Sequence, residues 1–155
     1  MVDCSRVSCY ATLRVLGQRL QAGRCEGKRP MKKVRVIVPC PMTEENRDQR
    51  RVQLKAVELS PDLSFDFRSV RAAPKNYVSA SDMVLADVGV LEAGLSAEAE
   101  GYDAVCVDTV SDSGVAALRS ELSVPVIGPG RASVLIALML GKRFSILAMW
   151  PHWRH

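Results

Sequence analysis

The chain has 155 residues, 48% hydrophobic and 25% charged, with a formal net charge of +4, the composition of one ordinary globular domain with a single core to bury. Its longest apolar run, "ASVLIALML" at 132–140, falls well short of the roughly 20 residues a membrane span requires, so no membrane association is expected. The positive charge lies at the start, with nine Lys/Arg against two acids in 1–35 and twelve against fifteen in 36–155; the body of the chain therefore offers no basic face for phosphates, and no nucleic-acid partner is expected.

Residues 1–30, "MVDCSRVSCYATLRVLGQRLQAGRCEGKRP", are Arg-rich and lack the continuous apolar core of a secretory signal. They predict a basic, disordered extension, with an α/β domain following over 31–142. "KVRVIVP" (33–39) is a strand. "MTEENRDQRRVQLKAVEL" (42–59) is a helix with Thr43 as N-cap, Glu44 and Glu45 in its first turn, and Val52, Leu54, Ala56, Val57 and Leu59 on the apolar side. "LSFDFRSV" (63–70) alternates as a strand does, and 79–101 is a capped helix ended by Gly101. A strand at 102–108, a helix at 112–122, a short strand at 124–128, a helix from Arg131 to Leu140 ended by Gly141 and a strand at 143–150 complete the order. Strands alternating with helices predict βαβ units and a three-layer parallel sheet with helices on both faces.

In such a sheet the C-terminal ends of the strands share one edge, and ligands bind there. Cys40, the segment after Val70, the turn at 108–112 and "GPG" at 128–130 are predicted to meet at that edge. Ser111, Asp112 and Ser113 are cap-forming residues, and turn and N-cap chemistry is the favoured role for Asp112. Gly128 and Gly130 before a helix would expose backbone N–H groups to an anion, although backbone geometry alone also explains glycines there. Cys106, inside an apolar strand, reads as a core residue. The five cysteines lack a CxxC spacing and the two histidines, His152 and His155, lie at the extreme end. This argues against a zinc site and a disulfide framework and fits a reducing, cytoplasmic setting.

"GYDAVCVDTVSDSGVAALRSELSVPVIGPGRASVLIALMLGKRFSILAMW", together with "VRVIVPCPMT", resembles the hydantoin racemase branch of the aspartate/glutamate racemase superfamily. The matching frame is a Gly-x-Asp-Ala strand, a turn, an Asp-x-Gly helix start, a "VPV-G-G" segment, a helix, and "LG-RFS" leading to a strand, over about 31–153. The resemblance implies a flavodoxin-like half of a two-half fold, with residues 143–155 as the first strand of a second half that is absent. It also implies cofactor-independent racemisation, in which two thiols on opposite sides of the substrate's α-carbon exchange its proton. A thiol, with a pKa of about 8.5 that neighbours lower, suits both directions of that transfer.

Carried onto this chain, the first family thiol falls on Thr109. A hydroxyl is a poor proton abstractor without an adjacent base; Asp108 is the candidate for that base, or for the acid/base itself. Cys40 stands where relatives tend to carry an asparagine that holds substrate, so its thiol is a candidate for substrate binding or proton transfer, while a small filler residue is the favoured plain reading of a cysteine there. Cys40, Ser111, Gly128 and Gly130 are therefore the substrate-binding candidates, and the expected partner is a small molecule: an amino acid, a hydantoin or a small dicarboxylate. The expected function is a hydantoin-racemase-like isomerase, truncated or divergent and inactive alone. The alternatives are a non-catalytic remnant that binds a small anion or a partner chain, and a related decarboxylase or cis–trans isomerase. The apolar "FSILAMW" at the chain end also predicts self-association.

Overall fold

The computed structural model describes residues 30–55, 59–74 and 76–146. Residues 1–29 of the predicted extension, Ala56 and Val57 of the first helix, and residues 147–155 lie outside the described residues. Four strands and four helices alternate in the described chain: β1 (Lys32–Val38), α1 (Glu44–Lys55), β2 (Leu63–Ser69), α2 (Ala80–Gly94), β3 (Ala104–Val107), α3 (Val115–Glu121), β4 (Val126–Ile127) and α4 (Pro129–Leu140). The strands pair in parallel in the order β2-β1-β3-β4. This is the parallel sheet with flanking helices that the alternation predicts.

Period-two alternation in β1 explains the two cores. Val34, Val36 and Val38 point to one face, where they meet Phe67, Cys106 and the partly buried Leu54 of α1. Ile37 points to the other, where Val105 and Val107 of β3 join Val90 and Ala93 of α2, Ala97 beyond its end, and Val115 and Leu118 of α3. Each fully buried aliphatic side chain contributes about 1.5–3 kcal/mol, and β-branched residues fit the pleated surface best. Cys106 is buried among the apolar residues of the α1 face, as its place in the strand predicts.

Arg35 is the exception in β1, a fully buried guanidinium on the α2 face. It is ion-paired with Glu100, lies 4.1 Å from the Tyr102 ring centroid and donates to Ser96 Oγ at 3.3 Å. Tyr102 in turn donates its hydroxyl to Asp66 at 2.6 Å. The hydrogen bond from Arg35 holds the Glu100 carboxyl down at about 2. This cluster fastens the segment after α2 to the middle of β1 and β2.

Several boundaries differ from those predicted, for local reasons. The helix expected over 79–101 begins as predicted, with a capping box in which the Ser79 hydroxyl accepts from Asp82 N–H and the Asp82 carboxylate accepts from Ser79 N–H. It ends at Gly94, and turns occupy the residues up to Gly101, whose φ is +79°. The α4 helix opens at Pro129 rather than Arg131, because proline at the first helical position has no N–H to leave unpaired. Residues 143–146 of the predicted final strand are not in a strand. On α1, Val52 faces solvent, and the inward positions are Arg50 and Leu54, one helical turn apart.

Candidate functional site at the β1/β3 edge

The chain leaves β1 towards β2 and leaves β3 towards β4, on the opposite side of the sheet. The segments after β1 and β3 therefore diverge at the carboxyl ends of two adjacent strands, the switch point at which open α/β sheets usually bind ligands. The register pairs Ile37 with Val107, and Asp108 N–H continues it by donating to Ile37 O at 2.8 Å. Cys40 and residues 108–110 thus stand at the same level on neighbouring chain ends.

On the β1 side, Cys40 is half-buried and packs against the apolar core beneath α1. The preceding Pro39 carbonyl accepts a hydrogen bond from the Tyr77 hydroxyl, which ties the segment after β2 to the site. Thr43 caps α1 as predicted, its hydroxyl accepting from Asn46 N–H at 3.3 Å.

On the β3 side, Asp108 lies on the α1 face and is ion-paired with Arg50; the two side chains are 3% and 10% exposed. The Asp108 carboxylate is thus engaged in joining α1 to the strand tip. Thr109 is half-buried at the edge and begins a chain of hydroxyls: Thr109 Oγ1 to Ser111 Oγ at 2.9 Å, and Ser111 Oγ to Ser113 Oγ at 2.8 Å. Ser113 is buried, so the chain runs from the edge into the protein.

Asp112 does not cap the helix that follows it. That helix, α3, has Gly114 as N-cap with no side-chain bond from its own loop; Gly114 N–H donates instead to Asp87 Oδ1 of α2 at 2.8 Å. Asp112 adopts φ +54° and turns its carboxylate onto the next helix, accepting from Gly130 N–H at 2.7 Å and Arg131 N–H at 2.8 Å. A carboxylate at a helix N-terminus satisfies orphan donors and the helix dipole together. The donors at 130 and 131 therefore already hold an anion, one supplied by the protein.

That seat explains both glycines. A Cβ on Gly128 would lie 2.5 Å from Asp112 Cγ, and one on Gly130 would lie 2.0 Å from the Val110 carbonyl oxygen. Both positions are buried against the 110–112 loop, and only a residue without a side chain admits that approach.

The edge thus gathers Asp108, Thr109, Ser111, Asp112, Gly128 and Gly130, with Cys40 across the switch point. The residues that sequence reasoning missed are Arg50, Tyr77 and Asp87, each fixing this edge from a distant element. Arg50 had one available signal, its spacing of four from Leu54 on α1. Among the described residues no group of three or more His, Cys, Asp or Glu side chains gathers as a metal site would, and no helix is long and apolar enough to cross a membrane.

Residues 48–155 match the family described as Asp/Glu/hydantoin racemase. The chain is 35% identical over 83 residues to a hydantoin racemase from Pseudomonas sp. (strain NS671), covering 54% of this chain and 33% of that protein. It is 31% identical over 78 residues to a hydantoin racemase from Rhizobium meliloti, covering 50% and 32%. The chain thus matches about a third of the length of these curated relatives. Among solved structures, allantoin racemase from Klebsiella pneumoniae superposes with a TM-score of 0.60 at 26% identity, over 70% of this chain and 43% of that one. Allantoin racemase from Pseudomonas fluorescens superposes with a TM-score of 0.51 over 90% of this chain and 60% of that one; at 14% identity this likeness concerns the fold alone.

Proposed function

The chain belongs to the Asp/Glu/hydantoin racemase family, and from that premise we propose that its β1/β3 edge holds one side of a small substrate for cofactor-independent proton transfer at an α-carbon. The observation that carries this reading is the strand order, which brings the segments bearing Cys40 and Thr109 to one switch point. The substrate class is a hydantoin, an amino acid or a small dicarboxylate, each with a carbonyl or carboxylate oxygen beside an acidic C–H.

In this reading the Thr109 and Ser111 hydroxyls hydrogen-bond that oxygen, and the Cys40 segment approaches it from the other side of the switch point. Thr109 stands in place of a thiol. An aliphatic hydroxyl has no accessible anion near neutral pH without a base to take its proton, and the Asp108 carboxylate beside it is engaged by Arg50. The edge therefore binds and orients, and proton transfer requires groups beyond it. A binding module without turnover shares this geometry, and the hydroxyl at 109 favours that second reading for the 155-residue chain on its own.

Titration of the 15N-labelled chain with a 5-substituted hydantoin, and separately with aspartate, tests the location. Saturable shifts of the Cys40, Thr109 and Ser111 amides are expected with at least one of them. Shifts confined to other surfaces, or none with either compound, would refute the assignment of this edge.

A further inference from the structure

The hydroxyl chain at the edge ends on Ser113, which is 4% exposed. Its place is fixed from both sides: the Asp112 carboxylate is held by the N–H groups of Gly130 and Arg131, and Gly114 N–H is held by Asp87. Among the described residues the only hydrogen-bond partner of the Ser113 hydroxyl is Ser111 Oγ, at 2.8 Å. A buried hydroxyl proton left without an acceptor costs free energy, so Ser113 donates and Ser111 accepts.

That direction sets the rest of the chain. Three hydroxyls carry three protons and share two links, so one proton is left over, and with Ser113 donating it lies at the outer end. Thr109 Oγ1 meets Ser111 N–H at 3.4 Å as well as Ser111 Oγ at 2.9 Å. Its two lone pairs thus have internal donors, while its proton has no internal acceptor left. We infer, resting on the reading of this edge as a substrate site, that Ser113 is a positioning residue that makes the edge a hydrogen-bond donor. The edge therefore takes an oxygen that bears no hydrogen, a carboxylate or a carbonyl, and turns an N–H away. For a hydantoin the atom seated on Thr109 is a ring carbonyl oxygen rather than a ring N–H; for an amino acid it is the carboxylate rather than the ammonium. Linked hydroxyls polarise one another, so the buried member acts on the outer one without touching the ligand.

Titrations of the 15N-labelled 155-residue chain at neutral pH with propionate, which only accepts hydrogen bonds, and with propylammonium, which only donates them, test the direction. Saturable shifts of the Thr109 and Ser111 amides are expected with propionate and none with propylammonium. Ser113→Ala and Ser113→Cys are each expected to weaken propionate about fivefold, the worth of one oriented hydrogen bond, because the two remaining hydroxyls can then run either way. Cysteine fills the volume of serine but donates weakly, so a merely structural role predicts wild-type affinity for Ser113→Cys. That variant decides alone should circular dichroism show Ser113→Ala unfolded. Undiminished propionate affinity in Ser113→Cys, or propylammonium binding at Thr109 in the wild type, would overturn the inference. So would propionate leaving these amides unmoved: if a 5-substituted hydantoin or aspartate still shifts them, only the donor direction falls, and if neither does, the reading of the edge falls with it.

Discussion

Arg50 on the inward face of α1 and Asp108 at the tip of β3 form an ion pair with 10% and 3% of their side chains exposed. It joins the helix that follows Cys40 to the residue that precedes Thr109, so both sides of the switch point share one buried contact. Withdrawing two charges from water is costly, and removing one of them strands the other. Arg50→Ala or Asp108→Ala is therefore expected to lower the unfolding free energy by about 3–5 kcal/mol, while Arg50→Met with Asp108→Leu recovers most of that loss. Urea titrations at neutral pH measure each. An unmoved midpoint in both single variants would mean that the pair does not fasten α1 to the sheet.

The residues whose partners are near in sequence, or whose periodicity is strong, were legible. Alternate valines at 34, 36 and 38 mark β1, and Ser79 with Asp82 marks the start of α2. The misread residues have partners far along the chain. Arg50 looks like part of a solvated helix face until Asp108, 58 positions away, supplies its counter-charge. Asp112 has the sequence setting of a cap for α3, but its carboxylate finds the donors of α4, 18 positions on, and Asp87 of α2 takes the place left at α3. Gly128 and Gly130 suggested an open anion cradle; tertiary packing fills it from within. Such pairings are set by strand order, which a single sequence leaves open.

Asp112 gives a second test. Asp112→Ala removes two hydrogen bonds to a helix N-terminus and is expected to cost about 1–3 kcal/mol, lowering the thermal midpoint by several degrees. Gly130→Ala is expected to cost at least as much, since its Cβ would drive into the Val110 carbonyl. Differential scanning calorimetry measures both. A midpoint for Gly130→Ala equal to that of the wild type would show that the 110–112 loop does not pack as described.

Glu100 predicts how stability responds to acid. Its hydrogen bond from Arg35, then that from Ser96, lowers its carboxyl from the ordinary 4.5 to about 2. The unfolded chain therefore takes up this proton first as pH falls. The stabilisation is fully present above pH 4.5 and is lost as pH falls from there through about 2. Unfolding free energy, measured by urea titration at steps across this window, is expected to fall less steeply in Glu100→Gln than in the wild type. Identical slopes would detach Glu100 from the acid response.

Thr109 carries the chemical prediction. It lies half-buried at the sheet edge with its hydroxyl bonded to Ser111, and the adjacent carboxylate is held by Arg50. Neither arrangement supplies a base of thiolate strength to a substrate α-carbon. In deuterated water the 155-residue chain is expected to leave the α-proton of a 5-substituted hydantoin, and of aspartate, unexchanged above the uncatalysed rate in proton NMR. Thr109→Cys alone is expected to permit at most exchange with retention, because racemisation also requires a donor on the opposite face of the carbon. Rapid deuterium incorporation by the wild-type chain, abolished by Thr109→Ala with the fold intact, would show that the hydroxyl chain itself moves the proton.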